Sequence, residues 1–141
     1  LFEEWKYIKF LVMKNIAIIA HDRLKDKIVQ FLREREDWIR QVNIISTGRT
    51  AEFVESKKVA NVQHLQRGRS GGYNEISEKI KKGEIDIVIF FRDFEVDTHH
   101  EDIQNLLSTC NKYDIPLATN YATAELLIIG YLRKQMAEKA N

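Results

Sequence analysis

Apolar residues fall along this chain in short continuous runs, each closed by polar residues and followed by a stretch with helical spacing. Asn15-Ile16-Ala17-Ile18-Ile19-Ala20 is the first run, closed by His21-Asp22; Val42-Asn43-Ile44-Ile45-Ser46 is the second, closed by Thr47-Gly48-Arg49-Thr50. Val59 to Leu65 holds a weaker third, Ile85 to Phe91 a fourth between Gly83-Glu84 and Arg92-Asp93, and Ile115-Pro116-Leu117-Ala118 a short last one. Runs of this length without polar alternation predict strands buried on both faces, as in a parallel sheet covered by helices. From Lys25 on, Ile28, Val29, Phe31, Leu32 and Trp38 keep the spacing of one helical face. Ile76 and Ile80 do so between Tyr73 and Lys82, as do Ile103, Leu106, Leu107, Cys110 and Tyr113, and helices are also expected over about 51–57 and 124–140. The alternation predicts an α/β fold: a Rossmann-like, doubly wound, mainly parallel five-stranded sheet with helices on both faces.

Composition narrows the function classes. With 141 residues and 44% apolar content, the chain is one domain able to bury a sizeable core. Residues 14–141 are expected to form it, with 1–13 as an N-terminal extension. Phe10-Leu11-Val12-Met13 lies behind basic residues like a signal peptide, but it is short, lacks a small-residue cleavage site and runs straight into the first strand. A formal net charge of +1 argues against nucleic-acid binding through bulk charge. No segment approaches the roughly 20 apolar residues of a membrane span. The single cysteine, Cys110, cannot form an internal disulfide and sits in an apolar helical pattern, which suits a buried thiol in the cytoplasm.

In a parallel sheet the turns that follow the strands share one edge, where ligands of open α/β sheets bind. Here those turns are His21-Asp22, Thr47 to Thr50, Gly68 to Gly72, Asp93 to Asp102 and Thr119-Asn120. Two of them combine glycine, hydroxyl and arginine at a helix start, where free N–H groups and the positive helix end attract phosphate. Lys25, Arg49, Arg67 and Arg69 would supply countercharge. His21-Asp22 reads either as pocket lining or as a turn histidine with a capping aspartate. The fourth turn gathers Asp93, Glu95, Asp97, Glu101 and Asp102 with His99 and His100. Adjacent histidines point apart and no distant His or Cys pair has ligand spacing, so no metal is expected. Asp102 reads either as a functional carboxylate or as the cap of the helix starting near Ile103.

The ordered set Ala20-His21-Asp22-x-x-Lys25, Ser46-Thr47-Gly48-x-Thr50, Gly68-x-x-Gly71-Gly72, Gly83-x-Ile85-Asp86-x-x-Ile89-Phe90-Phe91-x-Asp93, His99-x-x-Asp102 and Ile115-Pro116-x-Ala118-Thr119-Asn120-x-Ala122-Thr123-Ala124 resembles the methylglyoxal synthase family, from about Lys14 to Ile129. The resemblance implies a homohexamer and a lyase without metal or other cofactor that converts dihydroxyacetone phosphate into methylglyoxal and phosphate. A carboxylate takes a proton from the carbon next to the carbonyl, histidine and backbone donors stabilise the enediolate, and phosphate leaves. It implies that Lys25, Thr47, Gly48, Thr50 and Gly68 hold phosphate, with Gly71 and Gly72 letting the backbone approach. His99 would polarise the substrate oxygens, Asp102 would be a second catalytic carboxylate, and His21 and Asp22 would line the pocket.

The chain departs from the family at the positions nearest the chemistry. The family motif reads Gly-Pro-x-Gly-Gly-Asp, with the aspartate as base, whereas this chain has Gly68-Arg69-Ser70-Gly71-Gly72-Tyr73. A tyrosine of ordinary pKa is only about one part in a thousand phenolate at pH 7, which corresponds to about 4 kcal/mol of barrier. Arg49 replaces a threonine, Arg67 a serine, and Arg92 the tryptophan after Phe-Phe. Two functions remain open. One is a lyase whose proton transfer has moved to Asp102 or Asp93. The other is an inactive paralogue that binds a phosphorylated small molecule, as the similar regulatory domain of carbamoyl phosphate synthetases does.

Overall fold

The computed structural model describes residues 14–96 and 100–140. The expected extension over 1–13 and the histidine at 99 lie outside the described residues.

The first apolar run forms β1 (Lys14–Ala20), which lies between β2 (Val42–Ser46) and β4 (Ile87–Phe91). β3 (Val62–His64) extends the sheet beyond β2, and β5 (Leu117–Ala118) extends it beyond β4. The order is β3-β2-β1-β4-β5 and every pair is parallel. The continuous runs have the reason anticipated from their pattern. Successive side chains of a strand point to opposite faces, and both faces of this sheet are covered. Ile16, Ile18, Ala20, Ile44, Ile87, Ile89 and Phe91 pack on one side against α1 (Lys25–Arg33), α2 (Glu36–Ile39), α3 (Gly48–Ser56) and α6 (Tyr121–Ala140). Ala17, Ile19, Ile45, Val88 and Phe90 pack on the other against α4 (Gly72–Lys81) and α5 (Glu101–Lys112).

Element boundaries differ from the sequence reading where a polar group intervenes. The helical pattern from Lys25 to Trp38 breaks after Arg33, because Arg35 turns back to donate to the Phe31 carbonyl (3.0 Å) and lies over the Phe31 ring. Trp38 therefore belongs to α2. The last helix starts at Tyr121 rather than near 124, because Asn120 Oδ1 accepts from the Thr123 N–H at 2.9 Å and caps it. No helix among the described residues is long and apolar enough to cross a membrane.

The chain builds β1, β2 and β3 outward in one direction and then returns past β1 to build β4 and β5. The direction of winding therefore reverses between β1 and β4. A crevice opens at such a point, beyond the carboxyl ends of the strands.

Candidate functional site

His21 leaves the end of β1 and donates its backbone N–H to the Phe91 carbonyl at the end of β4 (3.1 Å). Its side chain crosses the same gap, with Nδ1 accepting from the Asp93 N–H at 2.8 Å. The Nδ1 lone pair is thereby occupied, so the neutral ring carries its proton on Nε2. Burial lowers the His21 pKa, and the charge of Arg92 lowers it further. The imidazole is a neutral donor.

Asp93 has a different part. Its two oxygens take Nε and an Nη of Arg23 at 2.6 and 2.8 Å, and Oδ1 also accepts from the Glu95 N–H. The Arg23 hydrogen bonds hold its carboxyl below the usual aspartate range, which makes it a weak base. The depressed pKa means that this contribution to stability is present above the unfolded value of about 3.9. It is lost as pH falls through the lower folded value. Arg23→Ala is accordingly expected to destabilise the protein at pH 7, with the gap to the parent narrowing as Asp93 protonates below about pH 3.9. Urea unfolding at both pH values reads this, and a gap independent of pH would remove the Arg23–Asp93 pair as its cause.

Beside them, α3 directs its N-terminus at the crevice. Thr47 precedes it in extended conformation and its side chain makes no capping hydrogen bond. The Gly48 N–H is taken by the Gln66 carbonyl (3.1 Å), while helix geometry leaves the N–H groups of Arg49 and Thr50 without an intrahelical acceptor. The Thr50 hydroxyl is engaged with the backbone N–H and carbonyl of Ala20 at 3.2 and 3.3 Å, so it ties α3 to the end of β1. Lys25 is nearly buried, donates to the Ala20 carbonyl (2.6 Å) and pairs with Asp22 (3.1 Å). Asp22 also meets Arg49 at 3.2 Å.

The third wall is the turn 68–70 with Gly71 and Gly72. Gly71 has φ +112°, which favours glycine, and a Cβ on Gly72 would lie 2.1 Å from the Gln66 carbonyl oxygen. These requirements bring Tyr73 to the cleft. Its ring stacks on Phe90 (centroids 5.7 Å), meets His100 edge-on (5.9 Å) and covers Gly68, where a Cβ would stand 2.4 Å from Tyr73 Cζ. Burial raises the Tyr73 pKa, so the phenol holds its proton more firmly than an exposed one.

These parts enclose a cleft of about 450 Å³, lined by His21, Asp22, Lys25, Thr47, Arg49, Thr50, Arg67, Gly68 and Tyr73, with Asp93 at its edge. Arg23, Ser70 and Val96 line it as well, and sequence reasoning had passed them over. Arg23 was legible in principle, since the residue after His21-Asp22 lies in the same turn. Five cations (Arg23, Lys25, Arg49, Arg67, Arg69) face two carboxylates (Asp22, Asp93) among the described lining. Gly48, Gly71 and Gly72 shape the walls from behind. Asp102 is half-buried in the first turn of α5 and is not among the described lining residues; the helix is capped by His100 Nδ1, which accepts from the Asp102 N–H (3.2 Å). His99 lies outside the described residues. Among the described residues no group of three His, Cys, Asp or Glu side chains is arranged to hold a metal. A larger hollow of about 1040 Å³, including Asn15, Asn43 and Glu84, opens at the opposite edge of the sheet, away from the strand ends where α/β ligands bind.

Comparison with known proteins gives a consistent picture. A family model described as MGS-like domain matches residues 27–119. The methylglyoxal synthase of Exiguobacterium sibiricum is 41% identical over 117 residues, covering 82% of this chain and 81% of that protein. The methylglyoxal synthase of Acholeplasma laidlawii is 40% identical over 115 residues, covering 81% and 94%. The crystal structure of methylglyoxal synthase from Elizabethkingia anophelis NUHP1 superposes with a TM-score of 0.76 at 32% identity, over 82% of this chain and 76% of that one.

Proposed function

The chain belongs to the MGS-like domain family, and on that premise we propose that it binds a small phosphorylated ligand in the cleft at the β1–β4 strand ends. We infer further that the lyase reaction of methylglyoxal synthase persists there only at a residual level, for want of a carboxylate at position 73. One observation carries the reading: Tyr73, at the position where the family resemblance places the base, is a buried phenol stacked on Phe90, and burial raises its pKa. The other carboxylates at the cleft are held by cations, Asp22 by Lys25 and Arg49 and Asp93 by Arg23.

Phosphate binding is supported by the same surroundings. The unbonded N–H groups of Arg49 and Thr50 and the α3 helix end favour an anion. The Thr47 hydroxyl, Lys25, Arg49 and Arg67 surround that point with donors and positive charge. His21, neutral with its proton on Nε2, would donate to the carbonyl or hydroxyl oxygens of a bound triose phosphate and stabilise the enediolate as it forms. What is missing is an acceptor for the carbon-bound proton. The competing reading, a full lyase with its base elsewhere, draws on identity of about 40% to proteins named methylglyoxal synthase, and Asp102 is then the residue to examine.

Purified protein incubated with dihydroxyacetone phosphate, with release of phosphate and methylglyoxal both followed, separates the two. We expect saturable binding with turnover near the uncatalysed background. Turnover at the 1–10³ s⁻¹ common among enzymes would overturn the residual-activity reading. Arg49→Ala should weaken binding of inorganic phosphate at least about tenfold, through loss of a charge-assisted bond. Unchanged affinity by calorimetry would place Arg49 outside the phosphate site. By family resemblance the protein is further proposed to assemble as a homohexamer, which sedimentation would read directly.

A further inference from the structure

We propose that the ligand of this cleft carries a second anionic group at the end opposite its phosphoryl group, a carboxylate or a second phosphoryl, received by Arg69 and Arg92. The inference rests on the phosphate-site reading above and adds to it the chemistry of the ligand's other end. The phosphoryl end is served by Lys25, Arg49 and Arg67 around the α3 N-terminus. His21 and Tyr73, which pack against Phe90, line the cleft together with Arg69 and Ser70, and there the charge is positive as well. Arg69 and Arg92 both act on His21 and on Tyr73, lowering the pKa of each against or alongside burial. In the geometry, Arg69 lines that part of the cleft and the Arg92 guanidinium carbon stands 6.0 Å from the centroid of the Phe90 ring, against which His21 and Tyr73 both pack.

Among the described residues neither Arg69 nor Arg92 makes an ion pair. Among them Arg67 makes none either, although Arg23, Lys25, Arg35, Arg40 and Arg49 all do. Arg92 Nε is buried without a hydrogen-bond partner. A buried donor left unpaired is costly, and guanidinium groups are suited to planar carboxylate or phosphoryl oxygens. Counting Arg92 with the five cations of the lining, and Glu95, which pairs with Arg23, with its two carboxylates, positive charge exceeds negative by three. A phosphate monoester brings about two negative charges at pH 7. A second anionic group closes the difference, and it does so where the excess sits.

Three three-carbon probes test this: glycerol 3-phosphate, 3-phosphoglycerate, which adds a carboxylate, and 2,3-bisphosphoglycerate, which adds a further phosphoryl group. Calorimetry at a fixed ionic strength of about 0.15 M suppresses nonspecific charge effects. At least one doubly anionic probe is expected to bind about tenfold or more tightly than glycerol 3-phosphate. In Arg69→Gln and in Arg92→Gln that ratio is expected to fall towards one. Arg69 is exposed, so its replacement leaves the fold intact, and circular dichroism verifies this for both variants. Equal affinity for all three probes, or a preference that survives both substitutions, overturns the second-anion inference while leaving the phosphate site standing. Absence of binding by every probe and by inorganic phosphate overturns the phosphate-site reading itself.

Discussion

Tyr73→Asp is expected to raise turnover of dihydroxyacetone phosphate by about a thousandfold over the parent. The factor follows from ionisation: a phenol of ordinary pKa is about one part in a thousand phenolate at pH 7, whereas an aspartate is almost fully ionised. Burial pushes the Tyr73 phenol further from ionisation, which enlarges the deficit that the substitution removes. Two effects work the other way. Arg69 and Arg92 would hold the new carboxylate ionised but make it less basic, and removing a ring stacked on Phe90 loosens the wall of the cleft. A misplacement of the reacting carbon by about 1 Å can cost about 100-fold. Tyr73→Asn separates the causes, because it removes the same ring without supplying a base, and it should show no gain. If the parent already turns over at enzyme rates and Tyr73→Asp leaves it unchanged or slower, another residue carries the proton. Asp102→Asn is then the decisive variant: it should depress turnover far more than affinity.

Gly72→Ala should destabilise the fold by about 3 kcal/mol or more, and thereby lower Tm by roughly 10 °C. The added methyl would meet the Gln66 carbonyl oxygen at 2.1 Å and the Arg67 carbonyl at 3.0 Å. Both are backbone atoms of the loop that also accepts from the Gly72 and Gly48 N–H groups. The obstacle cannot swing away as a side chain would, so the turn must open and the cleft with it. Gly130 provides the opposite case. It lies in α6 with open space around its Cβ position, and Gly130→Ala should stabilise by about 0.5–1 kcal/mol through helix propensity. Equal and small changes in the two variants would mean that the 66–72 loop is looser than its contacts imply.

Much of the scaffold was legible in the chain. Ile16 to Ala20 and Ile87 to Phe91 lack polar alternation because each strand packs on helices from both sides, and that condition alone implies a parallel, doubly covered sheet. The edge strands were legible only as positions. β3 contracts to Val62–His64 and β5 to Leu117–Ala118, since a strand with one neighbour is defined by where pairing stops. The break after Arg33 depends on Arg35 reaching back over Phe31, a contact that spacing does not encode.

At the site, residue type and order determined which turns meet at one edge and that they carry glycines, hydroxyls and cations. Tyr73 was visible as a departure, and its chemistry as a poor base followed from its type alone. Partners, however, were decided in three dimensions. Asp93 and Arg23 are 70 residues apart and become a bidentate pair. The Thr50 hydroxyl is engaged with Ala20, 30 residues away, and the Asp93 N–H, 72 residues from His21, sets that ring's tautomer. Sequence thus determined the layers of the sheet and the inventory of charged groups, because burial pattern and residue chemistry are local properties. Tertiary structure decided which of those groups are held by one another and which, among the described residues, stay outside an ion pair, because hydrogen bonds are satisfied by proximity in space.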